Sequence, residues 1–282
     1  MSISRSFPFI VINERRCYDK RLFASFKTSN LGLIVIGLGI LIYKLISNKW
    51  VLGYSDTSLL LASTLNTGIA TAHGTNFVDL RGEYWDDTTS MWEAVLSTKI
   101  GHSVCQTSSA YYQKTWQHDN SSPCVFHLTE KTDWKTIDRK NAKIEGRLLG
   151  GCIDTIRHLV GTPFGNAQKF RKQFISGEPI LWYFENCELT TVDLHRSLVQ
   201  MKLAGWFKDC SGILFGRSAA NQTIDGYTAE DVYRDLANEL EVPIVYDIDC
   251  GHVPPQVTLI NGAHAEVTVA GGQGTVIQSF ML

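Results

Sequence analysis

Between Pro179 and His252 the chain alternates apolar runs with amphipathic stretches, and this pattern restricts the fold more than any other feature. Pro179-Ile180-Leu181-Trp182-Tyr183-Phe184 reads as a buried strand, because its apolar character is unbroken. Thr191 to Phe207 carries Leu194, Leu198 and Met201 at helical spacing. Ser211-Gly212-Ile213-Leu214-Phe215-Gly216 is a second strand, and Thr228-Ala229-Glu230-Asp231 is a capping box that opens a helix to Leu240. Val242 to Tyr246 is a third strand, leading to Asp247-Ile248-Asp249-Cys250-Gly251-His252. A right-handed β-α-β-α-β unit makes these strands parallel and brings their carboxyl ends to one edge. Ligand sites in open α/β sheets form at that edge. Glu185 and His252 both stand just past such ends. Other roles remain open at this point: Glu185 capping its loop or pairing with Arg217, Glu188 as the carboxylate that matters, and His252 as a surface histidine.

A second strand-to-helix passage lies at Ser55. Lys49-Trp50-Val51-Leu52 is a short strand, followed by Gly53-Tyr54-Ser55-Asp56-Thr57 and the leucine-rich run from Ser58 to Leu65. Strand, glycine turn, serine and helix is the layout of a nucleophile elbow, whose helix-start amides can stabilise an oxyanion. Thr57 stands where the second glycine of G-x-S-x-G would be. The simpler role, Ser55 or Asp56 capping the helix, is the usual one for these residue types.

Composition narrows the function class. With 44% hydrophobic residues and 26 basic against 28 acidic side chains, the chain is core-forming and lacks the basic surplus of a phosphate-gripping nucleic-acid binder. Seven cysteines without a C-x-x-C pair fit reduced thiols of a cytoplasmic protein, and neither cysteine nor histidine spacing suggests a metal. The apolar run 31–46 has three readings: a buried strand and helix of an α/β core, a membrane anchor, or a secretory signal. Its uninterrupted part falls short of the roughly 18–20 residues that span a bilayer, and it lies far from Met1, which favours the first.

Four collinear stretches, LISNKWVLGYSDTSLLLASTLNTGIATAHGT (45–75), GRLLGGCIDTIRHLVGTPFG (146–165), ILWYFENCELTTVDLHRSLVQMKLAGWFKDCSGILFGR (180–217) and VPIVYDIDCGHVPPQVTLINGAHAEV (242–267), resemble the LD-carboxypeptidase family of serine peptidases, particularly its microcin C self-immunity branch. The resemblance implies an α/β fold: the remnant of an N-terminal parallel-sheet, Rossmann-like domain and a C-terminal α/β domain with added β-strands. It divides the chain into a divergent lead-in (1–44), a partial N-terminal domain carrying the serine turn (45–90), a connecting segment (91–143) and the C-terminal domain (144–282). It implies a Ser-His-Glu triad of Ser55, His252 and Glu185 that hydrolyses an amide, with the Asp56 amide as oxyanion donor. It also implies a homodimer, no cofactor, and a substrate that is a muropeptide with an L,D bond or a peptidyl-nucleotide antibiotic.

Gly150 and Gly151 are expected at the substrate cleft, where backbone must approach closely. Cys152 follows them where the family usually has asparagine; a nucleophilic role for it has no histidine to support it. Trp85, Trp92, Trp116 and Trp134 either wall the cleft for a nucleobase or pack ordinarily. Upstream of Leu45 the family's first β-α units and the Gly-Gly turn that supplies a second oxyanion donor are not recognisable. A catalytically impaired descendant, kept as a binding or dimerisation module, is therefore the alternative to an enzyme, and a membrane-anchored form is a third reading.

Overall fold

The computed structural model of the chain describes residues 50–281 other than 116, 118 and 121 (backbone alone at 62 and 63), together with the backbone of 10–11, 34–36 and 39–41. In chain order the first elements are β1 (Ile10–Val11), β2 (Ile34–Ile36), β3 (Gly39–Leu41), β4 (Val51–Gly53), a 3-10 helix (Ser55–Leu60) running into α1 (Leu61–Thr67), and β5 (Thr71–His73). Next come α2 (Asp87–Ser97), β6 (Ser103–Thr107), β7 (Tyr111–Tyr112), β8 (Glu130–Lys131) and β9 (Lys135–Thr136). The remainder is β10 (Ala142–Cys152), α3 (Ile153–Ile156), α4 (Ala167–Phe174), β11 (Ile180–Glu185), α5 (Thr191–Leu203), β12 (Cys210–Gly216), α6 (Ala229–Leu240), β13 (Ile244–Ile248), β14 (Leu259–Asn261), β15 (His264–Ala270) and β16 (Gln273–Ser279).

Two sheets organise these elements. The larger has the order β6-β16-β15-β10-β11-β12-β13-β9, parallel from β10 to β13 and antiparallel on both flanks. The smaller has the order β1-β4-β5-β14, with β14 antiparallel to β5. The expected α/β architecture with a parallel centre and added strands is thus present. Segment 91–143 contributes β6 and β9 to the large sheet, and β14 crosses from the end of the chain into the small one. The run 31–46 lies outside the described residues except for β2 and β3, which pair antiparallel. Among the described residues no helix is long and apolar enough to cross a membrane.

β11 is buried along its whole length because layers cover both faces. Trp182 and Phe184 face the helices, where Trp182 stacks on Trp206 at 5.0 Å, while Leu181 and Tyr183 join Leu214, Val245 and Val276 on the other face. α5 stops at Leu203 rather than Phe207. The Gly205 N–H bonds Lys202 O (2.9 Å) and the Trp206 N–H bonds Met201 O (3.0 Å), a Schellman stop made possible by the left-handed φ of +77° at Gly205. The capping box of α6 forms as the sequence suggests, with the Thr228 hydroxyl on the Asp231 N–H and the Asp231 carboxylate on the Thr228 N–H.

Candidate active site

β4 ends in Gly53, and the chain then turns sharply enough to place Ser55 at φ +64°. A non-glycine residue in this region is strained by about 1–3 kcal/mol, and such strain marks the serine of a nucleophile elbow. The N-cap of the 3-10 helix is Tyr54, with no side-chain capping bond, so the Ser55 hydroxyl is not spent on a cap. It faces His252 instead, with Oγ 3.2 Å from Nε2. On the other side of the ring, Nδ1 is 2.8 Å from Glu185 Oε2. A carboxylate only accepts, so Nδ1 carries a proton, and in the neutral imidazole Nε2 is left to accept from the Ser55 O–H.

The Glu185 side chain is wholly buried at the carboxyl end of β11, and His252 is reached four residues beyond β13. Gly251 permits the approach: at φ +97°, a Cβ there would lie 2.5 Å from the Glu185 Cβ. Burial alone would raise the Glu185 carboxyl, but the charge and hydrogen bond of His252 outweigh it and hold the group below its ordinary 4.5. Burial likewise pushes the His252 imidazole down, and Glu185 with Cys187 reverses this, leaving it raised above 6.5. The pair therefore favours imidazolium beside carboxylate.

Arg217 is not the partner of Glu185. It pairs with buried Asp249, donates to Asp247 O at 3.2 Å and lies 4.5 Å over the Tyr112 ring. Glu188 is exposed, and its N–H bonds Asp154 at 2.8 Å. Asp56 has an exposed side chain at the second position of the 3-10 helix, where a backbone N–H has no intrahelical acceptor.

Gly150 and Gly151 make their close approaches to neighbouring protein. A Cβ at Gly150 would fall 1.8 Å from Tyr183 O, and one at Gly151 (φ +147°) would fall 2.7 Å from Ser58 Cβ. Gly150 lets β10 lie close to β11, and Gly151 seats the serine turn against β10. The Cys152 N–H donates to Ser58 Oγ at 2.9 Å, and Ser58 Oγ is 3.5 Å from Nδ1 of buried His73. Burial, with Glu185 and Asp154 nearby, pushes the Cys152 thiol well up, which opposes a nucleophilic thiolate. Trp92 and Trp134 are core residues, Trp134 donating to Asp249 at 2.9 Å, and half-buried Trp85 donates to Leu80 O at 3.1 Å. Their role is packing; Trp116 lies outside the described residues. Among the described residues no cluster of metal-ligating side chains occurs.

Three neighbours of the triad carried no sequence signal of their own: Tyr54, His73 and Asp79. The Tyr54 ring meets the His252 ring edge-on, centroids 4.8 Å apart at 84°. His73 is fully buried, and burial lowers its imidazole to about 4, so it stays neutral. Asp79 is buried too, which raises its carboxyl to about 6. All three fall in or beside the stretch 45–75, yet burial of a polar side chain is a tertiary property that local pattern does not encode.

Residues 145–267 match the LD-carboxypeptidase C-terminal domain. Among curated proteins the chain is 25% identical over 235 residues to a putative carboxypeptidase of Vibrio cholerae, covering 81% of this chain and 64% of that protein. It is 26% identical to a probable murein peptide carboxypeptidase of Bacillus subtilis (77% and 59%) and 23% identical to the microcin C7 self-immunity protein MccF of Escherichia coli (75% and 60%). The chain thus spans less than two thirds of the length of these relatives. An MccF-like protein from Bacillus anthracis has the same fold at TM-score 0.65 and 20% identity, over 82% of this chain and 68% of that one. An MccF-like protein from Streptococcus pneumoniae, solved with AMP, superposes at TM-score 0.60 and 20% identity, over 82% and 70%. The matched domain carries both Glu185 and His252, so residues 145–267 form an LD-carboxypeptidase C-terminal domain, and over about four fifths of its length the chain is similar to carboxypeptidases of that family.

Proposed function

We propose that this chain is a serine hydrolase of carboxypeptidase type, which cleaves an amide through Ser55, His252 and Glu185. The observation that carries the reading is the unbroken chain Ser55 Oγ–His252 Nε2 (3.2 Å) and His252 Nδ1–Glu185 Oε2 (2.8 Å), with the serine on a left-handed turn. In the first step His252 Nε2 takes the Ser55 proton as Oγ attacks the amide carbon. Glu185 holds the tautomer and stabilises the imidazolium that forms. The carbonyl oxygen becomes an oxyanion beside the Asp56 N–H. Imidazolium then protonates the leaving amine, and water, deprotonated by His252, hydrolyses the acyl-serine.

Two substrate classes suit the relatives: a muropeptide, after the name of the Bacillus subtilis protein, or a peptidyl-nucleotide, after MccF solved with aspartyl sulfamoyl adenosine and the neighbour solved with AMP. Purified protein is assayed for release of D-Ala from a muramoyl tetrapeptide and for cleavage of an aminoacyl sulfamoyl adenosine. We expect turnover of at least one, abolished in Ser55→Ala. Equal turnover by Ser55→Ala and wild type sinks the assignment. Absence of turnover, with substrate still bound, leaves the non-catalytic binding module in its place.

A further inference from the structure

We infer that Asp79 is a positioning residue, which ties the serine turn to the His252 loop and so sets the contact between nucleophile and base. The inference rests on the reading of Ser55 and His252 given above. These two residues come from different sheets, and a productive contact needs their relative placement held to about 0.5 Å. Asp79 is 2% exposed, and one of its oxygens, Oδ2, serves both sides of this junction. It accepts from the Asn76 N–H at 2.9 Å and from Gln256 Nε2 at 3.4 Å.

Asn76 closes the turn, its Oδ1 accepting from the Val78 N–H at 2.8 Å and the Asp79 N–H at 3.3 Å, and its side chain lies by the Tyr54 phenol, opposing the rise that burial imposes on that group. Tyr54 immediately precedes Ser55, and its ring lies against the His252 imidazole. Gln256, 2% exposed, lies four residues beyond His252 in the loop between β13 and β14. One carboxylate oxygen thus joins the turn beside Tyr54 to the loop that carries His252. The charged and titratable groups around Asp79 are Arg81 on its own loop, Tyr54 from the serine turn and His252 from the opposite loop. Nothing in the proton relay uses Asp79, and its burial raises the carboxyl to about 6, so above that pH it is ionised at a desolvation cost.

The test compares wild type with Asp79→Ala, Asp79→Asn, Gln256→Ala and the double variant Asp79→Ala/Gln256→Ala. Ser55 phosphonylation by a fluorophosphonate, with loss of fluoride, and hydrolysis of the substrate found above are both measured at pH 8. Asp79→Ala is expected to lower the phosphonylation rate and kcat by about 10–100-fold with KM within about twofold, because misplacement rather than lost binding is the defect. Asp79→Asn keeps an acceptor oxygen and is expected within about fivefold of wild type. The double variant is expected to be no worse than Asp79→Ala alone, since both break one link. A wild-type rate in folded Asp79→Ala, or additive losses in the double variant, overturns the inference.

Should Asp79→Ala fail to fold, Gln256→Ala, expected to lose several-fold in kcat, carries the same test. A second readout is independent of catalysis. Histidine-selective NMR reports the shift that the Tyr54 ring imposes on the His252 carbon-bound protons. It is expected to collapse toward free-histidine values in Asp79→Ala or Gln256→Ala and to persist in Asp79→Asn; an unchanged shift in the alanine variants refutes the placement. If wild type neither reacts at Ser55 nor turns over substrate, the functional reading fails, while the NMR comparison still decides the role of Asp79.

Discussion

Replacing Asp79 by asparagine is expected to stabilise the protein at neutral pH and to do nothing of the kind in acid. Burial raises the carboxyl from 3.8 to about 6, with His252, Arg81 and the Asn76 N–H pulling the other way. A raised acid binds its proton more tightly folded than unfolded, so its stabilising contribution is present at low pH and is lost as pH rises from about 4 to about 6. At about 1.4 kcal/mol per unit, the ionised group costs about 3 kcal/mol above that window. Asparagine removes this cost but weakens the bond to the Asn76 N–H by about 1–1.5 kcal/mol, for a net gain of about 1.5–2 kcal/mol. For a chain of this size that is a rise in Tm of about 3–8 °C. The assay is thermal unfolding of both proteins at pH 7.5 and pH 4. The gain should be full at the higher pH and vanish or reverse at the lower. A Tm difference of the same sign and size at both values refutes the reasoning, because the effect would then owe nothing to ionisation.

His73 supplies the opposite slope: its pKa falls from 6.5 to about 4, so its contribution is present above 6.5 and is lost toward pH 4, worth about 3 kcal/mol. Denaturant melts of His73→Phe should therefore show less acid sensitivity than wild type. For the reaction, His252 is raised above 6.5 by Glu185, so kcat/KM should climb with pH through the alkaline range as the imidazole becomes neutral. Glu185→Gln should shift that limb to lower pH and reduce kcat by roughly 10³–10⁴, read from a pH–rate profile. Gly151→Ala puts a Cβ 2.7 Å from Ser58 on a left-handed backbone, and should lower stability by about 1–3 kcal/mol with a matching loss of Ser55 reactivity.

Sequence pattern reaches as far as local order and handedness reach. The passage β11-α5-β12-α6-β13 is legible because its strands are buried on both faces and its helices carry their own caps. The crossover rule then places Glu185 and His252 at one edge without any further information. Ser55 is legible as a turn, but its partner is not, since its sheet contains β14 from near the far end of the chain, pairing Leu259 with His73. Local pattern carries no trace of that antiparallel contact. The same holds for Tyr54, Asn76, Asp79 and Gln256, whose side chains look like loop residues and acquire their meaning only where the two sheets meet. The division is physical. The proposed relay residues follow strand ends, which topology fixes, whereas the groups proposed to hold Ser55 3.2 Å from His252 lie across a junction that only tertiary packing creates. A substitution along that junction should therefore impair the reaction while leaving every recognisable motif of the chain intact.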